Sequence, residues 1–189
     1  MSINLSKGQG INLTKEAPGL KHAWIGLGWD INASSGTDFD LDASTFMLGG
    51  AGKLPNEKYF VFYNNTESPD SSVKYLGDNR TGEGSGDDET VEIDLNQVDP
   101  LINEIIFVVT IHEADKRGQN FGQVSNSFIR IVDSMTEQEV AKYQLAEQFS
   151  TETAIEFGRL YRQSGEWLFQ AIGNGYQAGL DTFVNKYFS

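Results

Sequence analysis

Apolar residues recur at every second position in short runs broken by Gly, Ser, Asn and Asp, and that pattern admits few folds. Ile25, Leu27 and Trp29 alternate with Gly26, Gly28 and Asp30. Val91, Ile93 and Leu95 alternate with Glu92 and Asp94. Period two is the spacing of a strand with one face toward a core. The run from Glu104 to His112 is apolar at Ile105, Ile106, Phe107, Val108 and Val109, as a central strand buried on both faces would be. Phe128 to Val132 reads as a further strand. Ile155, Phe157 and Tyr161 share a face, Ser164-Gly165 turns the chain, and Trp167, Phe169 and Ala171 return as the second arm of a hairpin. After Asn174-Gly175 the period changes, and Tyr176, Leu180, Phe183, Val184 and Tyr187 fall on one face of a short helix. That aromatic stripe reads as a packing face. The expected architecture is mainly β: a β-sandwich closed by a short C-terminal helix, in a single domain over residues 1–189 without a linker or long repeat.

Composition agrees. The 189 residues are 39% hydrophobic and 12% aromatic, enough for a packed core. Twenty glycines against four prolines suit many tight turns. The absence of cysteine excludes disulfides, thiolate metal sites, iron–sulfur clusters and thiol catalysis. His22 and His112 are the only imidazoles. The first residues carry no apolar signal core, and no stretch approaches the ~18 apolar residues of a membrane span, so a soluble cytoplasmic protein is expected.

The net charge is −13, and residues 21–100 carry 15 acidic and 5 basic residues, which places −10 of it there. A field of that sign repels phosphate backbones and attracts cations, so nucleic acid is not an expected partner. The acids fall in two clusters. In Asp38-Phe39-Asp40-Leu41-Asp42, an extended chain points the three aspartates one way at about 6.7 Å spacing, with Phe39 and Leu41 inward. Asp30 ends the preceding strand, and residues 31–37 read as a turn whose hairpin would bring Asp30 beside that face. Two like charges ~7 Å apart repel by about 0.6 kcal/mol in water and about 2.4 kcal/mol at an effective dielectric of ~20, a sign that a divalent ion reverses. The alternative is a solvated edge strand protected by its charge. The second cluster runs from Asp78-Asn79 to Asp87-Asp88-Glu89 and holds five carboxylates and an amide around three glycines. Calcium takes roughly 6–8 oxygens from carboxylates, amides and backbone carbonyls, and glycines let carbonyls turn toward an ion. A flexible acidic turn is the alternative. Two such clusters at strand ends favour calcium over magnesium, which needs fewer carboxylates, and over zinc or copper, which want softer ligands. The pattern is not an EF-hand, because Ala43 and Gly49 stand where that loop requires Gly and Glu.

At these residues the chain resembles the TerD family of bacterial stress proteins. The resemblance rests on Gly26-Leu27-Gly28-Trp29-Asp30, Phe39-Asp40-Leu41-Asp42-Ala43-Ser44, Gly77-Asp78-Asn79-Arg80-Thr81-Gly82 and Gly86-Asp87-Asp88-Glu89. It continues through Ile111-His112-Glu113-Ala114, Phe121-Gly122-Gln123-Val124, Asn126 to Arg130, Phe157 to Arg162 and Gly165-Glu166-Trp167. It implies a β-sandwich with C2-like calcium-binding loops, two neighbouring Ca2+ ions, a role in resistance to tellurite and other chemical stress, and no established catalysis. Carried over by position, the implied ligands are Asp30, Asp40, Asp42, Asp78, Asn79, Asp87, Asp88 and Glu89, with Asp38 admitted by geometry. The expected partners are calcium and unidentified protein partners, the inner membrane surface being one place to meet them.

Other readings are weaker. Gly49 to Leu54 lacks the Gly and Ser/Thr positions of a phosphate loop, and His112-Glu113 has Lys116 where a zinc-protease helix needs His. Asn126 is expected to satisfy backbone groups in the 118–127 loop rather than a metal. A calcium-dependent membrane-surface module would want basic or bulky apolar residues beside the ion, and only Ile31 and Arg80 offer them. A metal-dependent hydrolase would need an open coordination position and a base, so the chain is not expected to be an enzyme. Glu57, Glu67 and Asp70 lie outside the motifs and are expected to tolerate neutralisation.

Overall fold

The structure is a computed structural model that describes residues 1–31, 39–78, 86–146 and 148–188. The chain opens with β1 (Ile3–Leu5), β2 (Gly10–Asn12) and the single turn α1 (Leu13–Glu16). It continues through β3 (His22–Ile31), β4 (Leu41–Gly49), β5 (Phe60–Val61), β6 (Val73–Asp78), β7 (Glu89–Asp94) and β8 (Ile102–Ile111). The turn α2 (Ala114–Arg117) leads to β9 (Val124–Asp133), β10 (Gln138–Gln144), β11 (Ala154–Gln163), β12 (Glu166–Tyr176) and α3 (Leu180–Tyr187). Two six-stranded sheets result, ordered β1-β10-β9-β3-β7-β6 and β2-β12-β11-β8-β4-β5. Among the described residues no helix is long and apolar enough to cross a membrane.

Alternation decides which side chains meet between the sheets. Ile25, Leu27, Val91, Ile93, Ile129 and Ile131 of the first sheet join Met47, Phe107, Val109, Phe157 and Phe169 of the second in one core cluster. Each such side chain contributes about 1.5–3 kcal/mol on burial. The second sheet is buried on its outer face too. There Phe46 stacks on Phe60 at 4.6 Å and meets Tyr187 of α3 at 4.9 Å. Ile106 lies in register beside Phe46, so β8 is apolar on both faces, as its sequence requires.

Two expectations change. The helix begins at Leu180, not at Tyr176, because β12 runs through Asn174-Gly175 to Tyr176 and Gly179 caps α3. Tyr176 still serves the packing stripe, edge-on to Phe183 at 5.4 Å. The second change concerns β3 and β4, which form no hairpin: β3 pairs with β7 and β9, and β4 pairs with β5 and β8. Both strands have a strongly apolar face, and each meets the core from its own sheet.

Antiparallel register gathers the acidic strand ends. Leu27 lies opposite Glu89, Ile31 opposite Val124, Asp78 opposite Glu89, and Leu41 opposite Ile111. The two sheets are tied together at this end, where the Phe121 N–H donates to the Glu152 carbonyl at 2.8 Å. Asp30, Asp40, Asp78, Asp88 and Glu89 therefore stand at one end of the sandwich.

Candidate functional site

Asp30 is the next-to-last residue of β3, just after a register shift between Gly28 and Asp30. Such a bulge re-aims the side chains that follow it. The Asn126 amide donates to Asp30 Oδ2 at 2.7 Å, and Asn126 takes φ +54°, a left-handed conformation that Asn tolerates. Asn126 thus serves an acid of the cluster rather than only its own loop. Asp88 is fastened to the same strand end twice. Its N–H donates to the Leu27 carbonyl at 2.8 Å, and its Oδ2 accepts from the Trp29 N–H at 2.8 Å. Asp40 lies just before β4, and its carbonyl accepts from the His112 N–H at 2.7 Å. Asp30, Asp40 and Asp88 are exposed, whereas Glu89 is 3% exposed on the inner face of β7 with Val91 and Ile93. Phe39 and Leu41 pack inward, as alternation predicts. Asp38, Asn79 and the side chain of Asp78 lie outside the described residues.

Asp87 stands apart from these acids. Arg130 Nε donates to its Oδ1 at 2.8 Å and Arg130 Nη2 to its Oδ2 at 2.9 Å, a bidentate pair, while Glu139 takes Nη1 at 3.3 Å. The two paired side chains are 7% and 13% exposed. Burial opposes charge on Arg130, but Asp87, with help from Glu139, outweighs it and raises the guanidinium pKa. Two glycines make room for this arrangement. A Cβ on Gly26 would fall on the Asp87 carboxylate, and one on Gly28 would strike the Phe128 ring and the Gly86 carbonyl. The Gly-Leu-Gly of β3 therefore leaves a bare strip on the outer face of the first sheet, into which Asp87 folds.

Asp42 leaves the sandwich on the other side. It is in register with Thr110 and shares its face of β4 with Phe46, the face roofed by α3. There it lines a cavity of about 650 Å³ with Tyr63, Thr110 and His112. Asp42, on the outer face of the second sheet, and Asp87, on the outer face of the first, therefore face away from each other. Among the described residues no three Asp, Glu or His side chains are grouped to hold an ion. The donor chemistry suits a hard cation, being all oxygen.

Two carboxylates outside the motifs, the buried Glu156 and the half-buried Asp70, hold hydrogen-bond networks that no sequence motif marks. Glu156 is 5% exposed beneath α3, and it accepts from the Tyr187 and Tyr176 hydroxyls at 3.0 Å each. Burial, then the nearby Glu156 charge, raises both tyrosine pKa values. Asp70 accepts from Ser68 Oγ, Ser72 N, Ser72 Oγ and Asp99 N at 2.6–3.0 Å. It is a structural hub and no neutral control. A glutamate amid apolar alternation signals the first. The flanking Ser68 and Ser72 signal the second.

The model of the TerD domain matches residues 1–187 of this chain. The chain is 53% identical over 187 residues to tellurium resistance protein TerD of Serratia marcescens, spanning 99% of this chain and 97% of that one. It is equally 53% identical over 188 residues to general stress protein 16U of Bacillus subtilis (strain 168), again spanning 99% and 97%. A solved homologue of telluride resistance protein (TerD) from Streptomyces coelicolor A3(2) shares the fold, with a TM-score of 0.66 at 23% identity over 87% of this chain and 95% of that one. A match along nearly the whole length, to the model and to both relatives, makes this chain a member of the TerD domain family of tellurium-resistance and stress-response proteins.

Proposed function

We propose that the chain is a calcium-binding stress-response protein that acts in the cytoplasm through calcium-dependent contacts with protein partners rather than by catalysis. The observation that carries the reading is the placement of acids at one end of the sandwich. Asp30, Asp40 and Asp88 come from three separated stretches of sequence and both sheets, with Glu89 buried beneath them. Like charges at one end of a fold repel, and burying a carboxylate is costly unless a cation or hydrogen bonds answer it. One divalent ion relieves several of these terms at once. Asp30, Asp40, Asp88 and Glu89 would hold it, with Asp38, Asp78 and Asn79 as further candidates toward a shell of roughly 6–8 oxygens. A second ion follows from the family resemblance alone. The hydrogen bonds from Asn126 to Asp30 and from Trp29 to Asp88 orient two of these carboxylates beforehand.

Calorimetry on chelator-stripped protein tests the reading. Calcium is expected to bind with measurable heat and magnesium far more weakly. Asp88→Asn should lower the calcium affinity about tenfold or more, and exposed Glu57→Gln should leave it unchanged. Absence of heat at millimolar calcium would overturn the proposal.

A further inference from the structure

We infer that Asp87 and Asp88, adjacent and chemically identical, divide their work: Asp87 anchors the acidic segment to the first sheet through Arg130, as a positioning residue and not an ion ligand. Only the calcium arm of the test rests on the reading above.

The geometry separates the two carboxylates. Both Asp87 oxygens face the Arg130 fork, on the outer face of the sheet over Gly26. The pair is nearly buried, at 7% and 13% exposure. Asp88 is exposed, and its Oδ2 accepts from the Trp29 N–H at the strand end that carries Asp30. The split is carried by partners on different strands, Arg130 of β9 for Asp87 and the Trp29 N–H of β3 for Asp88, which lies in a bend just before β7.

An anchor suits this position because the segment joining β6 to β7 is dense in like charge. Arg130 neutralises one carboxylate and fixes it over β3, 43 residues distant in sequence from the pair's other half. The main-chain bond from the Asp88 N–H to the Leu27 carbonyl at 2.8 Å completes a two-point attachment. Asp88 then has its direction set before any ion arrives. A bidentate Arg–carboxylate pair is specific in angle as well as distance, which Lys cannot reproduce.

The test uses the full chain, stripped of metal, with Asp87→Asn, Asp88→Asn, Arg130→Met, the double variant Asp87→Asn/Arg130→Met, and Gly26→Ala. Without calcium, Asp87→Asn and Arg130→Met should each lower the melting temperature. The double variant should fall by much less than the sum, because both singles break one pair. Asp88→Asn should not lower it. In calcium titrations Asp88→Asn should lose most of the affinity. Asp87→Asn, Arg130→Met and Gly26→Ala should share one smaller loss, about tenfold, as expected for groups that orient a ligand. Gly26→Ala alters no charge, so a loss there reports displacement of Asp87. If Arg130→Met does not fold, Arg130→Lys and Gly26→Ala carry the same comparison. The anchor is refuted if the two single variants add fully in the metal-free protein. It is refuted equally if Asp87→Asn loses calcium as Asp88→Asn does while Arg130→Met and Gly26→Ala bind like the parent. Should the parent take up no calcium, the calcium reading fails, and the metal-free coupling alone decides the anchor.

Discussion

Asp70 shows how one carboxylate organises a loop. Four donors converge on it, from Ser68, from both the main chain and the hydroxyl of Ser72, and from the Asp99 N–H. Burial would raise its pKa, but the hydrogen bonds from Ser68, Asp99 and Ser72 outweigh that and lower it. A carboxylate whose folded pKa is depressed stabilises the fold above its unfolded value of about 4, and that stabilisation disappears as pH falls through the folded pKa. Asp70→Asn is therefore expected to cost about 1–2 kcal/mol at neutral pH, with the gap to the parent closing on acidification below about pH 4. Urea denaturation at pH 7 and at pH 3 measures both, and a gap that stays constant with pH would disprove the charged hub. The sequence places Asp70 outside every motif and suggests a silent position. Its partner Asp99 is 29 residues away, and a long-range acceptor of main-chain N–H leaves no periodic trace. Asp87 and Asp88 are hard to tell apart for a related reason. Their difference lies in Arg130 and in the missing Cβ of Gly26, both on other strands.

At the scale of elements, what local alternation governs was readable. β7 follows its inward Val91 and Ile93, β8 its double apolar face, and β11–β12 the Ser164-Gly165 turn. The partner of each strand was not readable, because period two is the same for a hairpin and for a crossing between sheets. Hence β3 and β4 were joined in expectation and lie in different sheets. The acidic segments were legible as clusters, since charge is local. Their separation into an exposed end, a buried Glu89 and an anchored Asp87 depended on register. The attachment of α3 was half legible. Its stripe reads as packing, and Phe183 and Tyr187 are buried as expected, but the polar clamp on Glu156 is not in the stripe. Tyr187→Phe keeps the ring and removes the donor to a buried carboxyl oxygen, for an expected loss of about 2 kcal/mol. In a protein of this size that is roughly 4–8 °C in melting temperature. Thermal denaturation followed by circular dichroism reads it, and an unchanged midpoint would show that α3 is held by its apolar face alone.

For the whole molecule, a charge of −13 with most of it in residues 21–100 leads us to expect stability to answer to cations in two separable ways. Monovalent salt screens exposed repulsion, because the Debye length is only about 10 Å at 0.1 M. A bound divalent ion instead adds a term that follows RT ln(1 + [L]/Kd), about 2.7 kcal/mol at a hundredfold excess over Kd, provided the unfolded chain does not bind it. At 2–4 °C per kcal/mol for a protein of this length, saturating calcium is expected to raise the melting temperature by roughly 5–11 °C. Potassium chloride matched in ionic strength should give a smaller rise, and magnesium should lie nearer the salt control than calcium. The mechanism also fixes the behaviour of variants. Asp88→Asn removes a charge from the crowded end, so its metal-free melting temperature should equal or exceed the parent's while most of the calcium increment is lost. Glu57→Gln, at an exposed site on the turn before β5, should keep the increment in full. A rise that potassium chloride reproduces would mean the acidic end is a solvated surface answering to ionic strength. A rise that calcium alone produces, and that Asp88→Asn abolishes while Glu57→Gln does not, would tie the stability of the sandwich to an ion held among its strand ends.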